Sequence, residues 1–218
     1  MTYTYDYERP AVTVDVALLG LRDGVLQTLL IKRGHYPFEG MWALPGGFVD
    51  VKEDLEAAAL RELQEETGVT GVKIEQFYTF GDPFRDPRTR IIAVVHYALV
   101  RLGDLTVKAG DDASDARWFP AYSPPQMAFD HDKVVQMLLN YLRFKVRHTA
   151  AVFELLPEIL SIGQLAAAVG ACLNKPIPVD EMDRHVAALG ILRKTDAGYS
   201  LNKQALEPVM RNHALFPF

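Results

Sequence analysis

Residues 47–69 read GFVDVKEDLEAAALRELQEETGV, and they constrain the fold more than any other stretch of the chain. From Glu53 to Thr67 nothing breaks a helix, and Gly68 supplies the residue that ends one. On a 3.6-residue period, Glu62, Glu65 and Glu66 stand at i, i+3 and i+4, so their carboxylates share one face. Like charges repel there, and crowding them gains nothing unless a cation arrives. Oxygen donors of this kind suit Mg²⁺ or Mn²⁺, which commonly serve phosphate chemistry. A Glu-rich helix by itself is a solvated face, and RELQEE alone would be read that way.

The full spacing changes that reading. Gly47, Glu53, Arg61, Glu62, Leu63, Glu65, Glu66, Gly68 and Val69 fill every fixed position of G-x5-E-x7-R-E-U-x-E-E-x-G-U, where U is a bulky aliphatic residue. The segment therefore resembles the Nudix hydrolase family, whose members cleave a nucleoside diphosphate linked to another moiety. The resemblance implies an α/β fold, the Nudix α/β/α sandwich with a mixed sheet, over residues 1–146. It also implies Glu62 and Glu66 as the main metal ligands, with Glu65 a further ligand or the group that takes a water's proton. The carbonyl of Gly46 is another candidate ligand, because Gly46 and Gly47 let the main chain come close, with Gly47 beside the substrate. Glu53 and Arg61 complete the catalytic motif and read as an ion pair holding the loop against the helix. The general base is a helix acid or one of Asp111, Asp112 and Asp115, which serve equally well as turn formers.

Around this helix the chain alternates between strands and loops. Val12, Val14, Val16 and Leu18 fall on one side of an extended run, and Thr13, Asp15 and Ala17 on the other. A turn at Asp23 and Gly24 and a second apolar run, residues 25–32, make a hairpin. Strands are expected at 72–80, 91–101 and 116–119, and a helix over 131–144 behind an Asp130 N-cap. Strands, helix, strands, helix suggest a mixed sheet between helices.

The loop at 81–90 holds Arg85, Arg88 and Arg90, whose guanidinium forks suit phosphate oxygens. The same loop reads equally as an exposed turn paired internally through Asp82 and Asp86. WALPGGFV, the loop TFGDPFRDPRTR and AFDH at 128–131 resemble the ADP-ribose branch of the family, including regulators of NAD metabolism. Phe84 stands where that branch leads one to expect a smaller or polar residue. His131 reads as structural or ligand-contacting, and Trp118 and Phe119 as core.

Beyond residue 146 the pattern becomes helix, helix, helix, hairpin, with a capping box at Ser161 and Gln164 and a tight turn at 196–198. Residues 147–218 are thus expected to form a small winged-helix domain, similar to the C-terminal module of the NAD-metabolism regulators. Its charge argues against DNA. From residue 149 onward seven carboxylates outnumber six Lys and Arg, and the expected recognition helix opens with Asp180, Glu181 and Asp183. A nucleotide hydrolase is therefore expected ahead of a DNA-binding sensor, with a homodimer implied by the resemblance. A net charge of −5 advertises neither nucleic acid nor an anionic membrane surface. The polar start and the lack of any run of roughly 18 apolar residues point to a cytoplasmic protein without a membrane span. The single cysteine, Cys172, reads as a buried small side chain.

Overall fold

The computed structural model describes residues 6–108, 113–212 and 214–218. β1 (Ala11–Arg22) and β2 (Val25–Arg33) form the antiparallel hairpin, turning at Asp23 and Gly24, both at positive φ. They are followed by β3 (Trp42–Ala43), β4 (Gly46–Phe48), α1 (Leu55–Thr67), β5 (Glu75–Phe80), β6 (Ile91–Val100), β7 (Ala113–Pro120) and α2 (His131–His148). The sheet runs β3-β2-β1-β6-β5, with β4 paired to β1 and β7 to β2. β1 and β6 pair in parallel from Ala11↔Ile91 to Gly20↔Val100, and the other pairings are antiparallel, so the sheet is mixed.

The alternation along β1 does not mark a solvent face. Residues 13–20 are all buried, because β1 is central and helices cover both of its sides. Val14, Val16 and Leu18 pack under Ala58, Ala59 and Leu63 of α1, while Ala17 and Leu19 join Val134, Val135 and Leu138 of α2. This is an α/β/α sandwich. Replacing the fully buried Leu63 with Ala would cost about 2–5 kcal/mol.

α1 begins at Leu55 rather than Glu53, since Asp54 acts as N-cap and accepts the Ala57 N–H at 2.8 Å. It ends at Gly68, which takes the left-handed conformation (φ 69°). β5 starts at Glu75, three residues later than its apolar pattern suggests, and β7 is longer than the four residues expected.

The first C-terminal helix expected is instead a 3₁₀ turn, Ala151–Leu155, because Leu156 is extended ahead of Pro157. α3 (Ile162–Leu173) starts at the Ser161–Gln164 capping box, and α4 (Val179–Leu189) stops at Gly190. The hairpin β8 (Leu192–Thr195) and β9 (Gly198–Leu201) follows, then α5 (Lys203–Asn212), for which the sequence pattern gave no expectation. α2 continues to His148, past the expected boundary at 146. Its Leu142 and Val146 share one apolar core with Val152, Leu165, Val169, Met182, Val186 and Phe216. Arg147 also donates to the Phe218 carbonyl at 3.0 and 3.2 Å. Among the described residues no helix is long and apolar enough to cross a membrane.

Candidate functional site

β1 and β2 pair only from Leu19↔Thr28 to Arg22↔Val25 and then part. β4 takes over beside β1 (Asp15↔Gly46, Thr13↔Phe48), and β3 beside β2 (Ile31↔Ala43). A cavity of about 430 Å³ opens at this parting, bordered by α1, the 81–90 loop and the start of α2.

One wall of the cavity is acidic. The Glu66 carboxylate accepts the Gly46 N–H at 2.8 Å, and burial pushes its pKa up to about 8. Glu62 is partly buried and its pKa is also raised, chiefly by desolvation. Gly47 leaves room for this carboxylate, since a Cβ there would lie 2.4 Å from Glu62 Oε1 and push the side chain aside. Gly46, at φ 159°, likewise has no room for a side chain, because a Cβ would lie 2.2 Å from the Val14 carbonyl. Asp15 lines the same space, and its Oδ2 is buried without a hydrogen-bond partner. Glu65 does not border the cavity; its side chain is 58% exposed and pairs with Arg61 at 3.0 Å. The three glutamates expected on one helix face thus separate, Glu62 and Glu66 turned inward and Glu65 at the rim.

Arg61 is the clamp between loop and helix. It donates to Glu53 at 2.6 and 3.0 Å, to Glu62 at 2.8 Å and to the Phe48 carbonyl at 3.1 Å. Hydrogen bonds to Glu53 hold the guanidinium firmly charged and pull the Glu53 pKa down. Glu53 does not border the cavity but Arg61 does, so Glu53 holds from outside a guanidinium that forms part of the acidic wall.

The opposite wall is basic. Arg85 is buried and forms a bidentate pair with Asp130 (2.7 and 3.2 Å), with Asp15 Oδ2 3.8 Å away. Arg88 pairs bidentately with Asp86 (2.7 and 3.0 Å) and lies 5.3 Å from the Phe48 ring centre. Arg90 lies outside the cavity lining and donates to the Ile91 carbonyl at 3.5 Å. Of the internal pairing expected through Asp82 and Asp86, only Arg88–Asp86 forms; Asp82 accepts the Phe84 N–H instead, and Arg85 is paired from outside the loop by Asp130. Arg33, at the end of β2, also faces the cavity, but a lone arginine closing a strand carries no sequence signal. Its pKa is lowered by burial and by the neighbouring Arg88.

His131 is buried between the walls. Its Nδ1 accepts the Leu44 N–H at 2.9 Å, its Nε2 lies 3.8 Å from Asp15, and burial lowers its pKa. Trp118 and Phe119 are partly buried and pack against the core, Trp118 on the α1 side and Phe119 on the α2 side, where it meets Trp42 edge-on at 4.6 Å. Asp115 pairs with Arg117 away from the cavity, and Asp111 and Asp112 lie outside the described residues.

The NUDIX domain family matches residues 10–138, the sheet, α1 and the cavity together. The chain belongs to the Nudix family. Among Nudix relatives, the ADPR responsive transcriptional repressor NtrR of Acinetobacter baylyi is 32% identical over 195 residues, covering 88% of this chain and 78% of that protein. The ADP-ribose pyrophosphatase of Methanocaldococcus jannaschii is 42% identical over 139 residues, 64% of this chain and 77% of the enzyme. A crystal structure of a MutT/nudix family protein from Enterococcus faecalis superposes with a TM-score of 0.80 at 28% identity, covering 92% of this chain and 90% of that one.

The Nudix cavity holds no ready-made cage: among the described residues no three His, Cys, Asp or Glu side chains gather as a metal cluster. Its donor set still suits a hard divalent cation. Mg²⁺ retains several waters and needs only one or two carboxylates, which Glu62 and Glu66 offer, and the unpartnered Asp15 oxygen can accept from such a water.

Proposed function

We propose that the chain is a cytoplasmic, Mg²⁺- or Mn²⁺-dependent Nudix pyrophosphohydrolase that splits ADP-ribose into AMP and ribose 5-phosphate. The observation that carries this reading is one cavity with buried carboxylates on one side and guanidinium groups on the other. A diphosphate with its cation matches that division of charge. The choice of ADP-ribose is supported by the relatives, one an ADP-ribose pyrophosphatase and the other a repressor described as ADPR responsive.

In this reading Glu62 and Glu66 would hold the cation, with the Gly46 main chain alongside. When bound, it would neutralise the diphosphate and make water a better nucleophile for attack at phosphorus. Arg61 fixes the rotamer of Glu62, and Glu53 fixes Arg61. Glu65 at the rim supports Arg61. Asp130 and Arg85 hold the first turn of α2 against the cavity, and the His131–Leu44 bond secures the link between β3 and β4 that leads into Gly46.

A Mg²⁺-containing panel of nucleoside diphosphate derivatives, with products identified chromatographically, tests the reading. AMP and ribose 5-phosphate from ADP-ribose are expected. Turnover of another substrate with ADP-ribose untouched would overturn the substrate, and no turnover of any would overturn the enzyme.

A second reading, an ADP-ribose sensor whose C-terminal winged helix binds DNA, is favoured by the repressor's similarity along 88% of the chain. It ranks lower because the first turn of α4 presents Asp180 and Glu181, with exposed Asp183 beyond them, where phosphates would approach. Tight, salt-sensitive promoter binding released by ADP-ribose in a gel shift would reverse the ranking. Both readings divide the chain near residue 147. Both are compatible with a homodimer, for which partly exposed Met137, Tyr141 and Phe144 on α2 provide an apolar stripe.

A further inference from the structure

Glu62, Glu66, Asp86 and Asp15 line the cavity away from bulk solvent, and their commitments differ. Glu62 accepts from Arg61 at 2.8 Å, Glu66 from the Gly46 N–H at 2.8 Å and Asp86 from Arg88 at 2.7 Å. Asp15 accepts a side-chain hydrogen bond from none of the described residues. Its nearest donors, Arg85 Nη2 and His131 Nε2, each stand 3.8 Å from Oδ2, beyond hydrogen-bond reach.

The fold fixes how this carboxylate is presented. β1 holds Asp15 between Gly46 of β4 and Val95 of β6. Oδ2 is enclosed on the α2 side, facing Arg85, whose fork is spent on Asp130, and His131. His131 Nδ1 accepts the Leu44 N–H, so the neutral ring carries its proton on Nε2, the nitrogen nearer Asp15. Oδ1 lies beside the Gly46 main chain, where a Cβ would come within 2.8 Å of it. Glycine leaves that edge of the carboxylate uncovered, at the cavity lining.

Chemistry narrows what can meet the open edge. A phosphate oxygen only accepts, and it repels a carboxylate. Asp15, Glu62 and Glu66 do not gather as a metal cluster, so the α1 carboxylates and Asp15 serve different groups. What remains is a neutral O–H donor, and a sequestered carboxylate without a partner gains most from one. The sugars of a nucleotide carry such donors.

We propose that Asp15 accepts a hydrogen bond from a ribose hydroxyl of the ligand and is thereby a specificity-determining residue of the cavity. The assignment rests on the reading of the cavity as an ADP-ribose site. It gives the diphosphate and the sugar separate recognition groups, and it disfavours a ligand phosphorylated on that hydroxyl.

The test is calorimetry of the full chain with Mg²⁺, using α,β-methylene ADP-ribose, its forms lacking one ribose hydroxyl each, and inorganic pyrophosphate. Wild type is expected to bind one deoxy form about tenfold or more weaker than the parent, as loss of a hydrogen bond to a charged group requires. Asp15→Ala should weaken the parent by a similar factor and no longer distinguish that form, with pyrophosphate affinity held within about twofold. Asp15→Asn keeps the size and an acceptor oxygen, so it should retain part of the discrimination; it carries the test if alanine unfolds the chain. Purely additive losses from the substitution and from each missing hydroxyl would overturn the assignment and leave the ADP-ribose reading intact. So would a parallel loss of pyrophosphate affinity in both variants, which marks a water of the cation as the group Asp15 holds. Pyrophosphate binding without binding of any nucleotide analogue would overturn the ADP-ribose reading and the assignment together.

Discussion

The two walls of the cavity are built in opposite ways. The acidic wall comes mainly from one helix: Glu62 and Glu66 are four residues apart on α1, and Arg61 beside them draws on Glu53 just upstream. The basic wall is gathered from the end of β2, the 81–90 loop and the start of α2, with Arg33 and Phe129 far apart in the chain yet stacked in space. A wall made by a single helix can be dismantled one residue at a time while its scaffold survives. A wall that leans on a long-range ion pair, Arg85 with Asp130, loses its scaffold when one member is removed.

That difference sets the order of the expected effects. Glu66→Gln is the sharpest probe of the helical wall, because the amide oxygen can still accept the Gly46 N–H while the charge is gone. Mg²⁺-dependent turnover should fall roughly a thousandfold with little change in thermal midpoint. Activity within a few fold of wild type would remove Glu66 from the site and break the contrast.

Arg85→Ala should behave in the opposite manner. It leaves Asp130 without its partner in a buried setting, and about 3–5 kcal/mol of stability should be lost in urea unfolding. A variant that unfolds like wild type but binds phosphate poorly would show that Arg85 reads ligand and is not structural.

His131 ties the two walls together, and its pH response has a definite sign. Burial lowers its folded-state pKa below the ordinary 6.5, so below that value the unfolded chain takes up the proton more readily. Stability should therefore be full above about pH 6.5 and decline as pH falls, by at most about 1.4 kcal/mol per pH unit. His131→Asn, which can still accept the Leu44 N–H, should flatten that decline. An unchanged slope would mean other groups carry it. The smallest effect is expected from Arg90→Ala, outside the cavity lining: KM for ADP-ribose should stay within about twofold of wild type. A larger rise would extend the basic wall along the loop.

Much of the architecture follows from local patterns. Asp54, Gly68, the Ser161–Gln164 box and Gly190 terminate helices where cap chemistry alone would put the ends, within a residue or two. The hairpins at Asp23 and Gly198 follow from turn residues between apolar runs. Such features depend on contacts a few residues long, and the chain by itself determines them. The spacing of the Nudix motif likewise placed Glu62, Glu65 and Glu66 on one helix face.

Tertiary structure decided what each of those charges does. A single helix face is broad enough to turn Glu62 and Glu66 inward while Glu65 stays at the rim, and only the position of β4 settles which residues face the cavity. Asp15 sits in an apolar strand run that looks two-sided, and its role at the cavity emerges only where β1 and β2 part. Arg85, Arg88 and Arg90 look alike in sequence, yet Asp130, Asp86 and the Ile91 carbonyl give them three different fates. Arg88 and Arg90 are held by groups two and one residues away, but the partner of Arg85 lies 45 residues off, a separation local sequence pattern cannot encode.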